Sequence, residues 1–157
     1  MPSRPRVLIA GTEIAIATCE RLIGEAADVL EARSLAEALE RVDPTVSLII
    51  SSVRFDESRM FDFLTALAAR RDRCPAAVIC CRIVSAPLSE SLYGAIETAA
   101  RALGVSAFFD LDTEVRRLGQ EAAERKLAGL IFAHLAAAER AFTSRADQTV
   151  GLPWQGE

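Results

Sequence analysis

Short, uniformly apolar runs alternate along this chain with longer stretches in which apolar residues recur every three or four positions. Residues 6–10 (RVLIA), 28–32 (DVLEA), 46–53 (VSLIISSV), 77–81 (AVICC) and 105–109 (VSAFF) are of the first kind and are expected as strands. The third is β-branched and almost uncharged, as befits a strand covered on both faces. The second kind fills the gaps. Residues 12–26 carry Ile16, Cys19 and Ile23 at helical spacing. Ser34-Leu35-Ala36-Glu37 has the form of a capping box, opening a helix that should stop before Asp43-Pro44. Ser58 is expected to cap a third helix, with Phe61, Leu64 and Ala68 on one side and the basic run Arg70-Arg71-Asp72-Arg73 at its end. Residues 89–103 place Leu92, Ile96 and Ala99 on one face, and Gly104 is a natural stop. Five strands alternating with five helices imply a doubly wound α/β domain: a parallel sheet joined by right-handed crossovers and covered on both faces.

The last helical pattern, residues 113–143, is much longer than a sheet-covering helix needs to be. Gly119 and Gly129 are its candidate weak points. Leu127, Ile131, Leu135, Ala138 and Phe142 form one apolar stripe, while Phe132 and Ala136 lie near another. So apolar a helix does not stand alone in water. A homodimer through residues 127–142 is the expected solution; the alternatives are a fold-back hairpin or a helix from a different protein. The expected organisation is an α/β body (1–112), this extended helix (113–143), and a polar tail (144–157) that frays and carries Trp154.

Composition narrows the function classes. The chain has 157 residues, of which 51% are hydrophobic and 25% charged, which suits one globular domain rather than a disordered chain. A net charge of −4 gives no general attraction to nucleic acid. Neither a signal-peptide pattern nor an 18-residue apolar run is present, so a cytoplasmic protein without a membrane span is expected. Cys19, Cys74, Cys80 and Cys81 match no zinc spacing and read as buried free thiols in a reducing compartment. Cys80 and Cys81 should point to opposite faces of their strand. The single histidine, His134, reads as a packed or interface side chain.

The stretch VLEARSLAEALERVDPTVSLIISSVRFDESRMFDFL, with GVSAFF at residues 104–109, resembles the receiver domain of bacterial two-component response regulators. The receiver patterns are "VxEAxxxxEAL", "PDLIILDxxMPxxxGxxLL" and "GAxxYL", and the resemblance covers residues 6–118. It implies a flavodoxin-like sheet of order 2-1-3-4-5. It also implies phosphoryl transfer to an aspartate ending the third strand. Acidic residues after strand one hold Mg²⁺ in that chemistry, a hydroxyl residue ends strand four, and a lysine ends strand five.

This sequence departs from that pattern at each place. Gly11 and Thr12 stand where the acidic pair should be, with Glu13 beside them. Ser52, preceded by Ser51, takes the place of the phosphoacceptor; Met60 takes that of the loop glycine. Strand four ends in Cys80-Cys81-Arg82, and Leu111 replaces the lysine. No catalytic, cofactor-binding or metal-binding residue is therefore expected. The expected function is that of a degenerate receiver: a phosphorylation-independent interaction module in bacterial signalling, not an enzyme. A small-ligand-binding or enzymatic flavodoxin-like domain is the alternative. Arg54 and Arg82 lie near the sheet edge where open α/β folds bind ligands, and either could hold an anion. Whether Ser51 or Ser52 is modified stays open. Asp56 and Glu57 read as solvated loop charges, Glu13 as a first-turn helix acid, the Arg70–Arg73 run as a solvated helix end, and Phe61 as core.

Overall fold

The computed structural model describes residues 3–83 and 90–150. Five strands form one parallel sheet: β1 (Arg6–Ala10), β2 (Asp28–Ala32), β3 (Val46–Ser52), β4 (Ala77–Arg82) and β5 (Ala107–Asp110). Their order is β2-β1-β3-β4-β5, as expected, which puts β3 at the centre. Six α-helices accompany them: α1 (Glu13–Ile23), α2 (Leu35–Arg41), α3 (Met60–Ala69), α4 (Glu90–Ala102), α5 (Leu111–Leu118) and α6 (Gln120–Val150).

Alternation along the strands divides the core in two. Val7, Ile9, Leu48, Ile50, Ile79 and Cys81 face α1, α5 and α6. Leu8, Ala10, Ile49, Val78 and Cys80 face α2, α3 and α4. Cys80 and Cys81 thus lie on opposite faces, and all four cysteines are buried and free. The edge strand β2 is mostly half-buried, in keeping with its weaker apolar pattern.

Helix starts follow side-chain chemistry in α1 and α2. Thr12 accepts the Ala15 amide, and Ser34 accepts the Glu37 amide, while the Glu37 carboxylate takes the amide of Arg33, one residue before the cap, instead of that of Ser34. In α1, Ile16, Cys19 and Ile23 are buried as the spacing requires. Its exposed flank is clamped to α6 by Arg21, whose guanidinium donates to both carboxylate oxygens of Glu124 at 2.7 and 2.9 Å. Those bonds hold the Glu124 carboxyl below the usual range.

Several expectations about helices are corrected. Ser58 does not cap α3; Arg59 occupies the cap position without a side-chain bond. The buried face of α3 is Met60, Phe63, Leu64 and Leu67, with Phe61 half-buried and Ala68 exposed. The larger side chains take the core because each removes more apolar area from water. In α4 the inward residues are Tyr93, Ile96 and Ala100, and Leu92 is 44% exposed. Arg70 and Arg71 are not merely solvated: they donate to the carbonyls of Leu39 and Gly104, tying α3 to α2 and to the turn before β5.

The long C-terminal pattern is two helices. Gly119 adopts φ +88°, where a side chain would be strained, and its amide closes α5 by bonding Val115. Its own carbonyl then accepts the Ala123 amide at the start of α6. Gly129 does not interrupt α6, which runs on to Val150 instead of fraying after Ser144. Ala123, Leu127, Ile131 and Leu135 pack on the chain's own sheet, so that part of the expected dimer stripe belongs to the monomer core. Beyond the sheet Ala138 is half-buried and Phe142 is 76% exposed. His134 is half-buried, with Nδ1 2.9 Å from the Leu130 carbonyl within the helix. No helix among the described residues is long and apolar enough to cross a membrane. Trp154 lies outside the described residues.

Candidate functional site

The C-terminal edge of the sheet gathers Gly11 and Thr12 after β1, Ser51 and Ser52 at the end of β3, Arg82 at the end of β4, and Asp110 at the end of β5. Parallel pairing sets Ser51 level with both Ala10 and Cys80, and Arg82 level with Asp110. The residues singled out from sequence are thus brought together, but their arrangement is a filled one.

Gly11 and Ser52 close directly on each other. A Cβ built at Gly11 would stand 3.2 Å from Ser52 Cβ and 3.1 Å from Ala15 Cβ. An aspartate at position 11 has no room here without displacing its neighbours. Ser51 is fully buried and Ser52 is 5% exposed. Ser52 Oγ has no hydrogen-bond partner among the described residues, and Ser51 Oγ makes only a 3.5 Å contact with the Ser52 carbonyl. Among the described residues neither hydroxyl is hydrogen-bonded to a basic side chain, and both are buried.

Glu13 does not turn into the gap. Its side chain is 86% exposed and pairs at 3.9 Å with Arg33. Among the described residues no three of His, Cys, Asp and Glu come together as metal ligands. The residues present therefore do not fit the Mg²⁺ site that the receiver pattern implies.

The loop after β3 is held from both sides. Phe55 is fully buried, its ring 5.6 Å from that of Phe63. Asp56, Glu57 and Ser58 all have positive φ, at 43°, 53° and 73°, an uncommon run for side-chain-bearing residues. Asp56 is more than a solvated charge: its carboxylate accepts the Leu35 amide at 2.8 Å, adding a second cap to α2. Glu57 and Arg54 are exposed.

Arg82 departs most from expectation. It is 6% exposed, not an open anion receptor. Its guanidinium lies 3.0 Å from Asp110 and 3.6 Å from Asp112 and stacks 3.5 Å over the Tyr93 ring. Asp110 also accepts from the Thr113 amide and hydroxyl as the cap of α5, and Asp112 pairs with Arg116. Leu111, in the place of the lysine, is buried in the core as the first residue of α5. A cation on β4 is thus neutralised by carboxylates around the end of β5. Arg82 was legible at the sheet edge, and Asp112 as the residue that replaces the receiver proline, but Asp110 and Tyr93 were not. The missed signal was the Asp-Leu-Asp triplet directly after β5, two acids flanking an apolar residue where the receiver pattern has its cation.

No protein-family model matches the chain, nor does any curated protein sequence. Solved structures do. A CheY-like response regulator receiver domain from Methanospirillum hungatei superposes with a TM-score of 0.63 at 18% identity, covering 88% of this chain and 99% of its own. A response regulator receiver protein from Pseudoalteromonas atlantica gives 0.62 at 12% identity, covering 85% and 98%. A structure described as adenylate cyclase from Rhodopirellula baltica gives 0.61 at 16% identity, covering 96% and 100%. At such identities the likeness is one of fold: this chain has the flavodoxin-like architecture of the receiver domains it matches.

Proposed function

We propose that this chain is a phosphorylation-independent regulatory module of receiver-like fold, which acts by binding a protein surface in a signalling system. One observation carries the reading: Gly11 and Ser52 are packed against each other where a receiver needs two carboxylates and a phosphoacceptor. The buried Arg82–Asp110–Asp112 cluster supports it, because a cation already neutralised by internal carboxylates is poorly placed to offset an acyl phosphate. Without a metal-binding acid or a nucleophile, the edge retains shape but not phosphoryl chemistry, and its output would come from contact surfaces.

The test is incubation with acetyl phosphate and Mg²⁺, read by intact mass, together with the beryllofluoride analogue, read by thermal shift. Neither mass gain nor Mg²⁺-dependent stabilisation is expected. An acid-stable, base-labile phosphoryl adduct, or tight Mg²⁺-dependent beryllofluoride binding, would overturn the reading.

A further inference from the structure

The face of α6 that points away from the sheet has a pattern of its own. Arg125, Gly129, Phe132, Ala136, Arg140, Thr143 and Asp147 recur at steps of four, three, four, four, three and four, so they line one side of the helix. All are exposed except Ala136, which is half-buried, and this stripe lies nearly opposite Ala123, Leu127, Ile131 and Leu135. Phe132 is 40% exposed, and a Cβ at Gly129 would meet nothing within 4 Å. Among the described residues, the chain's own body leaves this side exposed. The stripe also outruns the body, since its last three members follow Leu135, the final residue of α6 in the core.

Its charges say what fits there. We infer that the occupant is a second copy of the same helix, antiparallel, with the two-fold axis at Ala136. In that arrangement residues equidistant from Ala136 meet. Arg125, eleven residues before it, faces Asp147 of the partner subunit, eleven after it. Phe132 faces Arg140 of the partner subunit, ring against guanidinium. Gly129 faces Thr143 of the partner subunit, and the two Ala136 residues meet on the axis, so small side chains let the backbones approach where the helices cross.

The parallel arrangement would set each residue against its twin, stacking Arg125 on arginine and Asp147 on aspartate. The stripe is complementary to itself only in the antiparallel sense. Among the described residues Arg140 and Asp147 have no ion-pair partner, while Arg125 has only the exposed Glu121 of its own helix at 3.3 Å. Because the stripe points away from the sheet, the two α/β bodies would sit on the outer sides at opposite ends of a contact about 33 Å long. The overhanging half of each α6 would then be covered by the packed half of the other.

This inference rests on the proposed reading of the chain as a binding module, and it replaces the sheet-facing stripe 127–142 with the opposite side of the helix. Sedimentation equilibrium of the full chain from low to high micromolar concentration tests it. A reversible dimer is expected, and Phe132→Glu should leave a monomer of unchanged circular dichroism. Arg125→Glu and Asp147→Lys should each weaken the dimer by about tenfold, and combining them should recover most of that loss. A monomer at all concentrations, or a dimer indifferent to Phe132→Glu, overturns the inference. Single charge changes that weaken the dimer without recovery in the double variant overturn the antiparallel register. None of these outcomes touches the acetyl phosphate result, so the two readings fail separately.

Discussion

Arg82 shows how one side chain can reshape a site. A charged group taken out of water is tolerated only when carboxylates and polar neighbours replace its hydration, and Asp110, Asp112 and the Tyr93 face supply that replacement. The arginine therefore ties the end of β4 to β5, to the first turn of α5, and to α4. Removing it leaves two carboxylates facing each other without their common cation. Arg82→Ala is expected to lower stability by about 3 kcal/mol, at the low end for broken buried pairs because both aspartates keep some solvent contact. Urea unfolding measures it; a loss below about 1 kcal/mol would mean the cluster behaves like an exposed ion pair. This arrangement was only half legible in the chain. Arg82 could be placed at the sheet edge by counting along β4, but its partners depend on how β5 hands over to α5. Likewise, the absence of carboxylates at Gly11 and Thr12 could be read directly, whereas the contact between Gly11 and Ser52 needed coordinates.

At the scale of elements, the capped start of α2 and the five strands were readable because each rests on local chemistry or on sheet periodicity, whereas the strand order came from the resemblance to receiver domains. The faces of α3 and α4 were misjudged. Each helix carries apolar residues on neighbouring sides, and only packing chooses between them. The two glycines of the C-terminal pattern divide for a related reason. Both lack a side chain, but only Gly119 has a conformation that needs that lack. Gly129 sits in regular helix with open space where its Cβ would be. The same substitution should therefore act in opposite directions. Gly119→Ala is expected to cost about 1–3 kcal/mol through its strained φ, whereas Gly129→Ala should gain about 1 kcal/mol from helix propensity. Thermal denaturation of the pair decides it. Equal shifts would mean that Gly119 is not the hinge between α5 and α6.

For the molecule as a whole, the sheet separates two apolar layers, and thiols sit in both. Burial pushes Cys19 and Cys80 up to about 12, and Cys81 is raised as well, by burial first and then by its thiol neighbours. In the unfolded chain a thiol ionises near about pH 8.5. The folded state therefore holds its protons more tightly than the unfolded one. That contribution to stability is complete below about pH 8.5 and is lost as the solution is made more alkaline, towards about pH 12. Urea midpoints should be level near neutrality and decline through this alkaline range. At pH 8 the native chain should react with a thiol reagent no faster than it unfolds. Rapid labelling of Cys81 in native protein would show that the layer between α1 and β4 opens on its own.

The asymmetric footing of α6 has a mechanical consequence. Its 31 residues span about 46 Å, yet only the part up to Leu135 is rooted in the core. A rod held at one end is a lever. A tilt of 10° at the root would swing the far tip by roughly 4 Å over the remaining fifteen residues. Small adjustments inside the α/β body would then emerge, enlarged, at the distant end of a single helix.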